Sequence, residues 1–380
     1  MYFDYAATTP PNLEVLKTFE KVNREFWANP HALHRAGVRA EALLEQARRQ
    51  VLNLFHAESQ YRCIFTSGAT ESNNMAIKGI ARQYERRGKH LITSAVEHPS
   101  VLKVFQWLEN EGWELTILPV NAEGCVDPQT LQAALRPDTM LVSFMHVNNE
   151  IGSINKIETL GNIVKAKSAA FFHVDAAQSI GKMDLSLEHG PIDLLTFSAH
   201  KFCGLKGSGA LLLKNKVQLP PLLHGGEQES GFRSGTADVA TAAALAKALR
   251  IAMEGRKAAY ARVQSFKQTI VAAFATIKGT ELNGALENSS PFVINYSVQG
   301  VRPETLLHAL EEQGIYISTV SACSAGKIPE SSVVLALTGN HQRAQTSIRI
   351  SLSSLTTPED VTALCATLKP TIESLHFKKK

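Results

Sequence analysis

The side chains with the clearest chemistry in the sequence are a carboxylate and an amine, each placed after an apolar run. Asp175 follows the run 171–174, where a buried carboxylate needs a cationic partner. Lys201 follows the run 194–197, and burial there would lower the pKa of its amine. Such an amine can form a Schiff base with an aldehyde, although either residue alone could equally serve an ordinary ion pair.

A loop rich in hydroxyl groups could hold a phosphate. Residues 66–72, Thr-Ser-Gly-Ala-Thr-Glu-Ser, lead from a predicted strand into a predicted helix, whose first backbone N–H groups attract anions. The loop lacks the lysine of a P-loop, and its hydroxyls could instead serve only to cap the helix. Residues 204–209, Gly-Leu-Lys-Gly-Ser-Gly, precede a strand instead of following one, so they predict a turn and not a dinucleotide site.

Together these groups meet the requirements of pyridoxal 5'-phosphate. A carboxylate keeps the pyridine nitrogen protonated, a lysine bonds the aldehyde, and a loop at a helix start holds the phosphate. The combination is far more specific than any of its parts. It predicts one cofactor site that contains Asp175, Lys201 and the loop 66–72.

The elements that must position these groups are short apolar strands alternating with helices. Ligands of an open α/β sheet bind at the carboxyl ends of its strands, and polar clusters follow several of the predicted strands, so we expect one crevice there. The clusters are 66–70, His98, Asn149, Asp175 with Gln178, and 198–201. The predicted strands are 63–65, 91–93, 115–120, 140–147, 169–174, 194–197 and 210–213, and the predicted helices are 43–54, 71–84 and 157–167.

This alternation predicts an α/β fold with a large domain, whose mostly parallel sheet is covered on both faces, and a smaller α+β domain. We assign residues 15–255 to the large domain and residues 1–14 with 256–380 to the small one, because Gly255 comes soon after an alanine-rich helix. That helix is predicted at 237–252. In the small domain the predicted strands are 293–298, 315–318 and 347–352, and the predicted helices are 304–313 and 358–368.

Composition and cysteine usage exclude several classes of partner. Among 380 residues, 39 Lys and Arg against 35 Asp and Glu leave a net charge of +4, which gives no reason to expect nucleic acid. The five cysteines are widely spaced without a CxxC pair, which predicts free thiols and no metal site. No signal peptide and no membrane-spanning apolar run is visible in the sequence, so we expect a cytoplasmic protein.

Short motifs with polar residues extend in order along nearly the whole chain. They are 4–9 (DYAATT), 66–72 (TSGATES), 97–98 (EH), 146–150 (HVNNE), 173–178 (HVDAAQ), 198–201 (SAHK), 233–236 (RSGT), 321–323 (SAC) and 347–349 (SIR). This series resembles the motifs of the cysteine desulfurases, in the class V aminotransferase branch of fold-type I pyridoxal-phosphate enzymes. The resemblance implies a homodimer that takes sulfur from L-cysteine, releases L-alanine and leaves a persulfide on an enzyme cysteine. It further implies an acceptor protein for the sulfur, such as an iron–sulfur scaffold or a tRNA-thiolation enzyme.

Carried over position by position, the resemblance implies a role for each site residue. Lys201 bonds the cofactor aldehyde, Asp175 holds the pyridine nitrogen and His98 stacks on the ring. Cys323 receives the sulfur, with His98 as a candidate base, and Arg349 binds the substrate carboxylate. The residues implied on the phenolic side of the ring are Asn149, which also faces the substrate, and Gln178. Those implied around the phosphate are Ala69, Thr70, Ser198 and His200, with Thr236 reaching it from the other subunit.

Two other functions fit part of the pattern. Another class V enzyme, such as a selenocysteine lyase or an aminotransferase, would share the cofactor site, and an inactive relative would act as a binding protein. Cys323, set among small residues at 321–326, favours the desulfurase, because an ordinary aminotransferase needs no loop thiol. Cys203, two residues after Lys201, is the main competing thiol.

Two segments depart from the family pattern. Glu227 stands where the family usually has the third glycine of a turn, and residues 29–34 (NPHALH) differ in their middle positions.

Overall fold

A computed structural model describes residues 1–319 and 329–377 of the chain. The predicted sulfur-accepting residue, Cys323, therefore lies outside the described residues. Every other residue assigned a role above lies within them.

A seven-stranded sheet forms the larger of two sheets. Its strands are β1 (Tyr61–Thr66), β2 (His90–Ser94), β3 (Glu114–Leu118), β4 (Thr139–Met145), β5 (Phe171–Asp175), β6 (Leu194–Ser198) and β7 (Gly209–Lys214). Their spatial order is β1-β7-β6-β5-β4-β2-β3. Strands β3, β2, β4, β5 and β6 run parallel, and β7 runs antiparallel to both of its neighbours. The predicted α/β fold with a mostly parallel sheet is confirmed.

Helices cover both faces of this sheet. They are α1 (Leu13–Glu25), α2 (Arg35–Leu54), α3 (Ala69–Tyr84), α4 (Pro99–Asn110), α5 (Pro128–Ala134), α6 (Ile157–Lys167) and α7 (Val239–Ala275). Alternate residues of β7 show the two layers: Leu211 and Leu213 pack with α3 and α4, whereas Leu212 packs with α2 and α7. Because both faces are buried, the central strands consist mostly of apolar residues, which made them visible in the sequence.

A four-stranded antiparallel sheet carries the second core. Its strands are β8 (Thr280–Leu282), β9 (Val293–Val298), β10 (Ser318–Thr319) and β11 (Ser347–Ser351), in the order β10-β11-β9-β8. The accompanying helices are α8 (Pro303–Glu311), α9 (Ser332–Thr338), α10 (His341–Gln345) and α11 (Pro358–Phe377). The strand predicted at 315–318 begins only at Ser318. Tyr316 pairs instead with the N-terminus: Phe3 N–H donates to Tyr316 O at 2.8 Å, and Tyr316 N–H donates to Met1 O at 3.0 Å.

Helix α7 continues through Gly255, although the sequence predicts that it ends at residue 252. Its first part, from Val239 to Leu249, is buried in the core of the large sheet, and its last part, from Val263 to Phe274, in the core of the small one. Packing at both ends outweighs the cost of one helical glycine, about 1 kcal/mol. The division of domains at residue 255 stays a prediction. In the described ranges no helix, α7 included, is long and apolar enough to cross a membrane.

Candidate active site

A cavity of about 620 Å³ opens at the carboxyl ends of the parallel strands. It is the crevice that the polar clusters predict, since ligands of open α/β sheets bind at this edge. The N-terminal segment 6–8 and the second sheet complete its wall. The sequence-predicted site residues that line it are Ala69, Thr70, His98, Asn149, Asp175, Gln178, Ser198, His200, Lys201 and Arg349.

Lys201 presents its amine to this cavity from a short 3-10 turn, Ala199–Lys201, directly after β6. The Nζ atom donates to the carbonyl oxygens of Ala6 and Ala7, both at 2.7 Å. Burial, with a smaller contribution from the positive charge of Arg349, lowers the pKa of Lys201 to about 8. A lysine in this state has an appreciable neutral fraction near neutral pH, as attack on an aldehyde requires.

Asp175 is the last residue of β5 and is buried. Its carboxylate accepts hydrogen bonds from neutral donors, Asn73 Nδ2 at 2.8 Å and the backbone N–H of Ala177 at 3.0 Å. The cationic protein partner that its position suggested is not among these bonds. Because its donors are neutral, the negative charge of Asp175 is available to a cation. The protonated pyridine nitrogen of the cofactor would be such a cation.

His98 both caps a helix and lines the cavity. Its Nδ1 accepts the backbone N–H of Ser100 at 3.1 Å, so it caps α4 ahead of Pro99. Ser100 Oγ lies 2.8 Å from the same nitrogen and accepts from Asn73, which also donates to Asp175. Burial lowers the pKa of His98, Lys201 lowers it further, and Asp175 opposes both. A neutral imidazole of this kind can stack on a ring and accept a proton.

The start of α3 forms the predicted phosphate cradle. Gly68 is its N-cap and makes no side-chain capping bond, so the first N–H groups of the helix face the cavity without a capping hydroxyl. Gly209 makes the close approach of β7 possible, because a Cβ there would lie 2.6 Å from Gly68 Cα. Ser198 Oγ donates to Ser208 O at 3.2 Å on the same side of the cavity.

Two basic residues, His200 and Lys206, line the same cavity, and Lys206 is not among the residues that the sequence predicts for the site. Lys206 lies in the turn 204–209 and lines the cavity. His200 Nδ1 lies 3.1 Å from Thr8 Oγ1, and burial together with Lys201 and Lys206 lowers the pKa of His200 to about 4. The signal for Lys206 was a lysine among glycines shortly after Lys201. The turn precedes a strand, which is not the pattern of a dinucleotide-binding loop.

Arg349 reaches the cavity from β11 of the second sheet. Its Nη1 donates to Asn149 O at 2.9 Å and its Nη2 to Asp4 Oδ1 at 2.8 Å, and the Asp4 contact is an ion pair. Its buried Nε has no acceptor among the described residues. A guanidinium held in this way with an unused donor suits a bound carboxylate, because burying an unpaired N–H is costly.

Thr236 lies outside the main cavity. It is exposed and lines a neighbouring cavity of about 200 Å³, which shares Ser67 and Gly207 with the larger one. The turn before it, which contains the atypical Glu227, is held by Glu229, whose carboxylate pairs with Arg48 at 2.7 Å. Within one subunit the structure therefore does not bring Thr236 together with the other predicted phosphate residues.

The polar groups of the cavity fit pyridoxal 5'-phosphate. They provide an amine of lowered pKa, a buried carboxylate, a neutral imidazole and an uncapped helix start. Asn73 Oδ1, beside Asp175, and Arg349 Nε are buried polar atoms whose partners are missing from the described part of the chain. No group of three or more His, Cys, Asp or Glu side chains in residues 1–319 and 329–377 could hold a metal ion.

Comparison with known proteins agrees with this geometry. The family model of the class-V aminotransferases matches residues 1–364. A protein of Dictyoglomus turgidum named cysteine desulfurase IscS is 40% identical over 377 residues, which cover 99% of this chain and 95% of the relative.

Two solved structures are also similar. A NifS-like protein superposes with a TM-score of 0.91 at 36% identity and covers 99% of both chains. A protein described as SspA in complex with cysteine superposes with a TM-score of 0.80 at 34% identity, over 94% of this chain and 99% of its own. The class-V family depends on pyridoxal phosphate. The chain therefore belongs to the class-V aminotransferases and, within that family, to the cysteine desulfurases.

Proposed function

We propose that the protein is a pyridoxal 5'-phosphate-dependent cysteine desulfurase, which removes sulfur from L-cysteine, releases L-alanine and transfers the sulfur through a persulfide on Cys323. The observation that carries the proposal is the meeting of Lys201, Asp175 and Arg349 in one cavity. A relative at 34% identity is described as a complex with cysteine, which supports this amino acid as substrate.

In this proposal each side chain has a task that its surroundings suit. Lys201 bonds the cofactor aldehyde, Asp175 holds the pyridine nitrogen, and the start of α3 holds the phosphate. When bound, the cofactor supplies an electron sink that weakens bonds at the substrate carbons. Arg349 orients the substrate carboxylate, with the Asn149 carbonyl and Asp4 fixing its guanidinium plane. His98, which burial keeps neutral, is the candidate general base of the site.

The test of the function is a mass balance on the purified protein loaded with cofactor. With L-cysteine and a thiol reductant, we expect sulfide and L-alanine to appear in equal amounts, because the reductant releases the sulfur from the persulfide. Assays of both products measure this ratio. Formation of an oxo acid instead of alanine would indicate an aminotransferase, and a much higher kcat/KM for selenocysteine would indicate a selenocysteine lyase.

The acceptor of the sulfur and the compartment are also proposals. We infer a protein acceptor, of the iron–sulfur scaffold or tRNA-thiolation kind, and a cytoplasmic location. The free thiols among the described residues, at Cys63, Cys125, Cys203 and Cys365, support a reducing compartment. Isotope-labelled sulfur from cysteine, followed into captured proteins, identifies the acceptor.

A homodimer is supported by apolar side chains that the single chain leaves in contact with solvent. Leu13, Trp27, Leu33 and Val38 are between 51% and 97% exposed and lie close together in sequence, from α1 to α2. Large exposed apolar side chains that gather in one patch mark protein contacts, and we infer that this segment faces a second subunit. Thr236, exposed beside the smaller cavity, is then available to the phosphate of a neighbouring subunit.

Mixing inactive subunits tests whether the site is shared. In a heterodimer of Lys201→Ala and Thr236→Ala chains, a shared arrangement places both defects in one site and leaves the other site intact. Random exchange should then restore about a quarter of the wild-type activity, since half of the dimers carry one intact site out of two. The activity of the refolded mixture measures this.

The control for this experiment is a mixture of Lys201→Ala with Asp175→Asn. Both residues belong to the same chain's site, so each site of this heterodimer keeps one defect and no activity should return. Equal recovery in both mixtures, or full activity of a dilute monomer, would contradict a shared site.

A further inference from the structure

Lys182 is a buried lysine beside the active site to which no role has yet been assigned. It is 7% exposed and follows β5 in a turn, where its N–H donates to Ser179 O at 3.0 Å. The preceding Gly181 has a φ of +74°, and a Cβ there would lie 2.7 Å from the Cβ of Ala252 on α7. Glycine is therefore the residue that suits this turn, which packs closely against α7.

The amine of Lys182 bonds to a residue of the cofactor site. Its Nζ donates to Gln178 Oε1 at 3.1 Å, and Gln178 Nε2 donates to Ala6 O at 2.9 Å. The same carbonyl accepts Lys201 Nζ at 2.7 Å. The side-chain amide of Gln178 and the carbonyl of Ala6 therefore connect the two buried amines, Lys182 and Lys201.

This connection determines which way the Gln178 amide points. Lys182 Nζ donates to the amide oxygen and the Ala6 carbonyl accepts from the amide nitrogen, so both partners favour the same orientation of the amide. With the amide turned by 180°, its oxygen would meet the carbonyl oxygen of Ala6, and two acceptors would face each other. Lys182 thus keeps an N–H donor of Gln178 on the cavity side.

The surroundings of Lys182 make a purely structural role a poor explanation. Burial, with the positive charges of Lys201 and Arg349, lowers its pKa to about 7, and only Cys203 acts in the opposite direction. The ring of Phe292 lies 5.7 Å from Nζ. An uncharged side chain of similar length would fill this space without the desolvation cost of an amine.

We propose that Lys182 is a positioning residue, which holds the amide N–H of Gln178 toward the phenolic oxygen of the bound cofactor. The inference rests on the proposed function, because that function places the cofactor ring beside Gln178. It adds a specific expectation about how the cofactor ionises.

The test is the pH dependence of the visible absorption of the bound cofactor. In Lys182→Met, Lys201 remains and the cofactor should still bind. The midpoint of the absorption change should move to higher pH by about one unit, because without Lys182 the Gln178 amide no longer holds its N–H toward the phenolic oxygen, and the loss of that donor disfavours the deprotonated form. Gln178→Leu should move it in the same direction, and Lys182→Arg, which keeps N–H donors, should restore the wild-type midpoint.

A double-mutant cycle decides whether Lys182 acts through Gln178. If it does, Lys182→Met combined with Gln178→Leu shifts the midpoint no further than Gln178→Leu alone. Shifts that add would overturn the proposal, as would an unchanged midpoint in folded Lys182→Met. A wild-type protein without a visible band would instead reject the cofactor assignment, so the two failures are distinguishable.

Lys267 offers a matched control. It is 1% exposed and donates to Ser289 Oγ at 2.6 Å and Ser290 O at 3.1 Å, within the second core and away from the cavity lining. Lys267→Met also removes a buried amine, so it should change the thermal stability of the apoprotein but not the absorption midpoint. An equal midpoint shift in Lys267→Met would mean general loosening and would overturn the positioning role.

Discussion

Replacing Lys201 by alanine is expected to lower the desulfurase rate by roughly a thousandfold or more, the scale of loss when a covalent catalytic residue is removed. Lys201 is the amine held at the end of β6 by the carbonyls of Ala6 and Ala7, with a pKa of about 8. The variant should also lose the borohydride-reducible absorption of the bound cofactor. Absorption spectra and product assays measure both effects.

A second lysine near the cofactor site provides the test of this assignment. Among the described residues, Lys206 is the second lysine that lines the cavity, near the phosphate cradle. If borohydride fixed the cofactor to Lys206 in the Lys201→Ala variant at the wild-type level, the assignment would be wrong.

Asp175→Asn is the companion variant. It keeps the lysine and should still bind the cofactor, but it should lose most turnover, because a neutral amide does not hold the ring nitrogen protonated.

Replacing Cys323 by alanine is expected to abolish the protein persulfide and to lower alanine formation by roughly a hundredfold or more, as for the loss of a nucleophile. The variant should still bind the cofactor and change its spectrum when cysteine is added, because Lys201, Asp175 and Arg349 are intact. Mass spectrometry after a short incubation with cysteine measures the added sulfur. Turnover at the parent rate in Cys323→Ala would contradict the proposed mechanism.

The other thiols make poor competitors for the sulfur. The thiolate is the attacking species, and a raised pKa reduces its fraction. Burial raises the pKa of each of the four cysteines that the structure describes: Cys63, Cys125, Cys203 and Cys365.

Cys203→Ala is the matched control for Cys323→Ala. Cys203 lines a second cavity of about 200 Å³, which shares Lys201 with the main one, and the backbone N–H of Cys203 donates to Thr9 Oγ1 at 2.8 Å. The variant should keep persulfide formation. Added sulfur found on Cys203 would therefore contradict the assignment to Cys323.

Local patterns in the sequence were sufficient to predict the strands of the large sheet and the site residues at their carboxyl ends. Strands β5 and β6 are apolar runs that end in Asp175 and Ser198, and α6 has the bounds that its periodicity predicts. A parallel sheet brings such strand ends to one edge, so the convergence of His98, Asp175 and Lys201 followed from topology alone. The reason is that alternation and helical periodicity record burial within a single segment.

Contacts between distant segments were decided only by the tertiary structure. Helix α7 passes Gly255 because two separate cores bury its ends, and Tyr316 pairs with the N-terminus instead of extending β10. The turn containing Lys206 enters the cavity because β7 folds back beside α3.

The sequence by itself determined the family motifs, the α/β class and the residues at the strand ends. The tertiary structure alone decided that Arg349 is held by Asp4 and Asn149, and that Lys182 reaches Lys201 through Gln178 and Ala6. These bonds join segments far apart along the chain, and their partners depend on how separate elements bury their surfaces against one another. No spacing or periodicity within one segment records that choice.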